Sequence, residues 1–118
     1  MNLERIYSYS FKEIYNLYVS KVQRKNQSVD DLNTLIYWLT GYDEAGLKNV
    51  IDSEISLKDF FVSSPRINQN YILVTGVICG VRIESIEDDI YKKIRVLDKL
   101  VDELAKGRAM SKIMREEN

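Results

Sequence analysis

Apolar residues recur at helical spacing in several stretches of this chain, and each stretch follows a residue that commonly caps helices. Ser10 and Glu13 form a capping-box pattern, in which each side chain accepts a hydrogen bond from the other residue's backbone N–H. Ser28, Asp43 and Ser56 precede three further stretches. The pattern therefore predicts four helices in the first half of the chain. Their apolar positions are Phe11, Ile14, Tyr15, Tyr18 and Val22, then Val29, Leu32, Leu35, Ile36 and Leu39, then Leu47, Val50 and Ile51, then Leu57, Phe60 and Phe61.

A longer helix is predicted from Asp88 to Lys106. Its apolar residues keep one face, and its acidic residues precede basic residues by four positions, a spacing that stabilises helices. Gly107 is placed to end it, as Gly41 is placed to end the second helix. The apolar face consists of Ile90, Ile94, Leu97, Val101 and Leu104, and the acid–base pairs are Asp88–Lys92, Asp89–Lys93 and Asp102–Lys106.

The segment 66–87 fits two kinds of structure. Its valines and isoleucines favour a strand, but no other segment offers a convincing partner strand. As a helix it is capped by Asn68 or Asn70 and places Gly76 and Gly80 on one face, and we favour this interpretation. We therefore predict one all-α domain, 1–118, of five or six short helices with a long C-terminal helix, and flexible ends at 1–8 and 115–118. The alternative is an α+β fold with strands within 71–84.

The composition restricts the chemistry that the chain can support. The 118 residues contain no histidine and one cysteine, which excludes histidine dyads, imidazole metal ligands and an internal disulfide. We expect no metal and no cofactor. The net charge of −1 argues against a dedicated polyanion binder, and the longest largely apolar run is shorter than the roughly 20 residues that cross a membrane. The N-terminus lacks the apolar stretch of a secretory signal, so we expect a cytoplasmic protein that does not engage a membrane.

Three motifs of this chain resemble an uncharacterised bacterial family, domain of unknown function 2200. They are WLTGYDEAGL at 38–47, TGVICGVRIE at 75–84 and IRVLDKLVDELAKGRAM at 94–110, and the resemblance extends from about Tyr9 to Met114. It implies a compact, largely helical bacterial protein of the cytoplasm. Because the family has no assigned chemistry, the resemblance implies no catalytic residue.

The stretch YWLTGYDE at 37–44 is the first candidate binding surface. It gathers Trp38, Thr40, Tyr42 and Asp43 around a predicted helix end. Aromatic rings with polar tips are typical of ligand pockets and protein interfaces. The alternative is that Trp38 is partly in the core and that Thr40 and Gly41 only end the helix.

The segment TGVICGVRIE supplies the second candidate, formed by Cys79, Arg82 and Glu84. On a helix Cys79 and Arg82 share a face, so the guanidinium would favour a thiolate. Arg82, with Glu84 close by, could instead hold an anionic ligand through its guanidinium. The alternative, which we favour, is that Cys79 is a small buried residue and that Arg82 pairs with an acid of the last helix, for which Asp98, Asp102 and Glu103 are candidates.

These features favour a non-enzymatic binding or protein-interaction domain, acting as a homodimer or with another cytoplasmic protein. The alternative is a small-ligand-binding protein or enzyme with a site around Arg82, Glu84, Tyr42 and Cys79. Eight tyrosines, several near the N-terminus, suit a dimer interface. The basic residues form two clusters at helix ends, where cations complement the dipole, and this accounts for both clusters. Because nucleic-acid binding would require a continuous patch and the chain has no net positive charge, we do not expect a nucleic-acid partner. The clusters are Lys21, Arg24 and Lys25, then Lys106, Arg108, Lys112 and Arg115.

Overall fold

Each predicted capping residue begins a helix in the computed structural model, which describes residues 2–116. The side chains of Ser10, Ser28, Asp43 and Ser56 accept hydrogen bonds from backbone N–H groups in the first turn of the helix that follows. A short first helix, capped by Asn2, was not predicted. The expected flexible ends include residues 1, 117 and 118, which lie outside the described range. The first five helices are α1 (Leu3–Tyr7), α2 (Phe11–Arg24), α3 (Val29–Thr40), α4 (Glu44–Asp52) and α5 (Leu57–Val62).

The long C-terminal helix is also confirmed. It is α6 (Asp89–Ala105), capped by Asp88 and followed by the short α7 (Met110–Ile113). Gly107 has a φ of 83°, the left-handed conformation expected just beyond a helix end. The predicted pairs Asp89–Lys93 and Asp102–Lys106 form at 2.7 Å and 2.9 Å, whereas Asp88 instead accepts from the Tyr7 hydroxyl.

The core lies between α2, α3 and α6, with α4 against α2 and α5 against α6. The apolar stripes read from the sequence supply it, so the predicted all-α class is confirmed with a small sheet added. The N-termini of α2 and α5 lie side by side, because Phe11 N–H donates to Ile55 O at 2.9 Å and Leu57 N–H donates to Tyr9 O at 2.7 Å. The ring of Phe11 stacks on Phe60 directly below this junction.

The preferred helix over 66–87 is wrong. Gln69–Leu73 is a 3-10 helix capped by Asn68, and β1 (Val77–Ile78) pairs antiparallel with β2 (Val81–Arg82) before a second 3-10 helix at Ile83–Ser85. For this segment the strands that the alternative placed within 71–84 are confirmed.

A tight turn and contacts with α6 explain the hairpin. Cys79 and Gly80 have φ of 51° and 74°, and a two-residue turn with positive φ at both positions matches the twist of paired strands. A helix would have contained two glycines, each costing about 1 kcal/mol relative to alanine. The ammonium of Lys99 on α6 donates to Val77 O at 3.1 Å, and Ile78 and Ile83 are buried. The hairpin therefore depends on a helix that begins several residues later in the chain.

Candidate functional site

A cleft of about 620 Å³ opens between the end of α3 and the segment that follows Pro65. Its volume lies in the range of small-ligand pockets. Trp38, which the sequence predicts as a binding residue, lines this cleft. The cleft is lined by Tyr37, Trp38, Gly41, Arg66, Ile67, Asn68 and Gln69.

Backbone hydrogen bonds hold the two walls of this cleft together. Arg66 N–H donates to Thr40 O at 3.0 Å and Asn68 N–H donates to Leu39 O at 2.9 Å, which satisfies carbonyls that the end of α3 leaves free. Gly41 permits this approach, since its φ is +78° and an added Cβ would lie 2.8 Å from Arg66 N and 2.9 Å from Arg66 O. A residue with a side chain at position 41 would push the two walls apart.

The side chains of the cleft offer mainly hydrogen-bond donors. Arg66 is exposed and forms no ion pair with any of residues 2–116, and within the same range the indole N–H of Trp38 has no partner. The side-chain oxygen of Asn68 already accepts from Asn70 N–H at 2.9 Å, which leaves its amide N–H₂ available. Partial burial, followed by the nearby charges of Glu44, Asp30 and Asp43, raises the pKa of Tyr37, so its hydroxyl is a neutral donor at physiological pH. A guanidinium beside an indole and an amide suits a carboxylate attached to a flat apolar group.

The other three predicted residues of this stretch have structural contacts. Buried Thr40 donates to Ile36 O at 2.7 Å and accepts from Tyr42 N–H at 3.3 Å. The hydroxyl of buried Tyr42 donates to Phe60 O at 2.7 Å, and burial raises the pKa of Tyr42. Asp43 caps α4 by accepting from Gly46 N–H at 2.7 Å. These three residues shape the end of α3, and Trp38 is the member of the set that faces the cleft.

Cys79, Arg82 and Glu84 lie on or beside the hairpin. Cys79 is exposed, so the preferred interpretation of a buried cysteine is wrong. Arg82 lies 3.9 Å from Glu84, and both side chains are largely exposed. Hydrogen bonds from the backbone N–H groups of Glu84 and Gly76 lower the pKa of the Glu84 carboxyl. The predicted pairing of Arg82 with an acid of α6 is also wrong.

The acids of α6 bind other cations. Asp98 accepts from the Tyr18 hydroxyl and lies 2.9 Å from Arg95. Asp102 lies 3.2 Å from Lys21 and 2.9 Å from Lys106, and Glu103 is held by Arg108 at 2.7 Å and by both terminal nitrogens of Arg115.

The contact between Tyr18 and Asp98 borders a second, smaller cavity of about 190 Å³ beneath α1. Burial is the main cause that raises the pKa of Tyr18 far above its usual value. Sequence reasoning missed this polar cluster, because 80 positions separate its two members and Tyr18 matches the apolar stripe of α2.

The N-terminal tyrosines are used mainly inside the domain. The hydroxyls of Tyr7, Tyr15 and Tyr18 donate to Asp88, Asn33 and Asp98. Tyr9 is 41% exposed. Intramolecular packing thus accounts for three of the residues that suggested an interface, and the homodimer stays a prediction.

Neither a metal cluster nor a membrane helix is found in the part of the chain that the structure describes. No group of three acidic or cysteine side chains within residues 2–116 is placed to hold a metal ion. Over the same residues, no helix combines the length and apolar composition that crossing a bilayer requires.

Comparison with known proteins identifies the family. Residues 5–115 match the DUF2200 family, described as an uncharacterized protein conserved in bacteria. The chain belongs to this family. The resemblance seen in the three sequence motifs is therefore confirmed over nearly the whole chain.

A solved structure agrees with this fold. The structure titled "Crystal structure of uncharacterized protein SP1917" superposes with a TM-score of 0.90 at 35% sequence identity, over 99% of this chain and 98% of that one. A comparison with curated proteins yields no match. Family membership thus supplies the fold, whereas any binding chemistry depends on the side chains that line the cleft.

Proposed function

We propose that this chain is a non-enzymatic binding domain of the bacterial cytoplasm, and that the cleft beside α3 holds a carboxylate joined to a flat apolar group. The composition of the cleft carries the proposal. Its lining contains a guanidinium, two aromatic rings and two amides, but no carboxylate, thiol, amine or imidazole that could act as a nucleophile or general base. Such a lining supports recognition, and among its side chains the Tyr37 hydroxyl alone could exchange a proton.

Arg66 is the residue that would bind the carboxylate. Its planar guanidinium can donate two parallel hydrogen bonds to a carboxylate, whereas the ring of Trp38 offers apolar surface beside it. A hydrogen bond to a charged group contributes about 1.5–3 kcal/mol, so losing Arg66 should weaken binding about 10- to 100-fold. The carboxylate could belong to the C-terminus of a peptide or to a small aromatic acid, which share this chemistry.

Fluorescence can test the proposal directly, because Trp38 is the chain's one tryptophan. We would titrate the protein with a short peptide ending in phenylalanine, with its C-terminal amide, and with benzoate and benzamide. We expect the peptide acid and benzoate, but not the peptide amide or benzamide, to change Trp38 emission. A response to the peptide acid alone would indicate a protein partner, and a response to benzoate of equal strength would indicate a small ligand.

Substitutions give the matched comparison. Arg66→Gln should weaken binding about 10- to 100-fold, and Arg66→Lys should recover only part of the lost affinity because a lysine cannot make the paired contact. Arg82→Gln removes the same charge from the exposed hairpin and should leave the response unchanged. Equal binding of acid and amide, or an unaffected Arg66→Gln variant, would overturn the proposal.

The alternative site around Arg82, Glu84, Tyr42 and Cys79 has less support. The Tyr42 hydroxyl is buried and donates to Phe60 O, whereas the other three residues lie on or just after the hairpin and are exposed. Self-association through the N-terminal segment is supported by one exposed tyrosine there, Tyr9. Light scattering that finds a strict monomer at high concentration would count against the dimer.

A further inference from the structure

The fold brings together two basic clusters that are far apart in the sequence. Lys21 near the end of α2 and Lys106 just after α6 both contact Asp102, at 3.2 Å and 2.9 Å. Gly107 lies next to the side chain of Gln27, in the loop that follows α2. The two clusters therefore share one end of the molecule. We call this surface the joined basic end, and it consists of Lys21, Arg24, Lys25, Lys106, Arg108 and Lys112.

Cations outnumber acids on this surface although the whole chain carries a net charge of −1. Asp102 is shared by two lysines, and Glu103 is shared by two arginines. Arg24, Lys25 and Lys112 form no ion pair with any residue that the structure describes. The ends of α2 and α6 add only about half a negative charge each. An excess of positive charge therefore remains to act on an external anion.

The joined basic end offers positive charge, and Tyr9 and Trp38 lie away from it. Protein interfaces need apolar or aromatic anchors, and binding to a membrane surface needs inserted apolar side chains. Exposed Tyr9 precedes α2, so about 20 Å of helix separates it from Lys21–Lys25. Trp38 lies near the far end of α3, about 15 Å from the start of that helix. Leu17, one helical turn before Lys21, is 64% exposed but carries no ring for base stacking. Charge contacts with the phosphate backbone are therefore what the described part of this surface provides.

We propose that the joined basic end binds the phosphate backbone of double-stranded nucleic acid without sequence preference. Binding of this kind releases counterions, so its affinity falls steeply as salt rises. The surface is separate from the cleft beside α3, and this inference does not depend on the function proposed for that cleft.

Fluorescence anisotropy with a labelled DNA duplex of about 20 base pairs, in about 25 mM and about 150 mM salt, tests the proposal. The triple variant Arg24→Gln, Lys25→Gln, Lys112→Gln should weaken binding at least about 10-fold in low salt and flatten the salt dependence. It should fold normally, because none of its three residues pairs with a described acid. The matched control, Lys12→Gln, Lys48→Gln, Lys58→Gln, removes the same charge from α2's first turn, α4 and α5, and should bind the duplex as the natural chain does.

Three results would overturn the inference. The first is no duplex binding in low salt, and the second is an equal loss in both triple variants, which would indicate an effect of net charge alone. The third is competition by polyglutamate as strong as competition by unlabelled duplex, which would indicate a general anion surface. Weaker competition by polyglutamate, together with loss in the patch variant only, supports it.

Discussion

Replacing Gly41 by alanine should destabilise the domain more than the same change at Gly80, and the difference measures the close contact between position 41 and Arg66. Both glycines have positive φ, +78° at Gly41 and +74° at Gly80. An alanine in this left-handed conformation costs roughly 1–2 kcal/mol at either site. At Gly80 nothing lies within 4 Å of the added Cβ, so that conformational cost is the whole effect.

At Gly41 the added Cβ would meet backbone atoms that cannot move freely. Arg66 N and Arg66 O lie 2.8 Å and 2.9 Å from it, and Arg66 N–H is held by Thr40 O. Overpacking of this kind costs typically about 1–3 kcal/mol more. The Gly41→Ala variant should therefore lose about 2–5 kcal/mol, against about 1–2 kcal/mol for Gly80→Ala.

Equilibrium unfolding in urea measures this difference, since an unchanged m-value with a lower midpoint reports stability alone. For a chain of 118 residues the unfolding entropy is about 0.25 kcal/mol/K, so each kcal/mol lowers the melting temperature by about 4 °C. We expect a fall of about 8–20 °C for Gly41→Ala and about 4–8 °C for Gly80→Ala. Equal losses in the two variants would refute the argument, because the Arg66 contact would then contribute nothing to the need for glycine.

Two further predictions concern charged contacts. Glu103→Gln should lower the free energy of unfolding in urea by about 3 kcal/mol, because it leaves the largely buried Arg115 without its carboxylate. Asp52→Asn, which removes one member of an exposed ion pair, should lower it by less than about 1 kcal/mol. Equal losses in the two variants would contradict this prediction. The Tyr7 hydroxyl holds the pKa of Asp88 below its usual range, so the stability from this contact is present above the unfolded pKa of about 3.9 and is lost as pH falls through the lower folded pKa. As the pH is lowered from about 6 to about 2.5, the melting temperature should accordingly fall less steeply for Tyr7→Phe than for the natural chain. Equal falls in melting temperature for the two chains would show that the contact is unimportant.

The helix starts could be predicted because capping is local. The Ser10 side chain accepts from Glu13 N–H, and the Ser56 side chain accepts from Asp59 N–H. Donor and acceptor lie within one helical turn, so the residue types at that spacing are sufficient. The hairpin could not be read as easily, since strands of two residues carry almost no periodicity. Cys79–Gly80 between Val77–Ile78 and Val81–Arg82 was the available signal, because it is a two-residue turn that follows and precedes a valine-containing pair.

The candidate site was only half visible in the sequence. Aromatic residues before Gly41 indicated Trp38, and the structure places Trp38 in the cleft. Arg66 could not be found in this way, since it belongs to a different segment and reaches the end of α3 only through backbone hydrogen bonds. Tyr42 and Tyr37 are both tyrosines, but the Tyr42 hydroxyl points into the interior, where it donates to Phe60 O.

By itself the sequence determined the family, the helices α2 to α6 with their caps, and the apolar faces that meet in the core, because these depend on neighbours within a few positions. The tertiary structure decided which distant residues the acids of α6 contact, in addition to their neighbours on the helix, and which distant segments share a surface. Asp98 meets Tyr18 and Asp102 meets Lys21 across about 80 positions of chain. Electrostatic attraction has no preferred sequence spacing, so only the packing of α2 against α6 selects these partners and brings the two basic clusters to one end of the molecule.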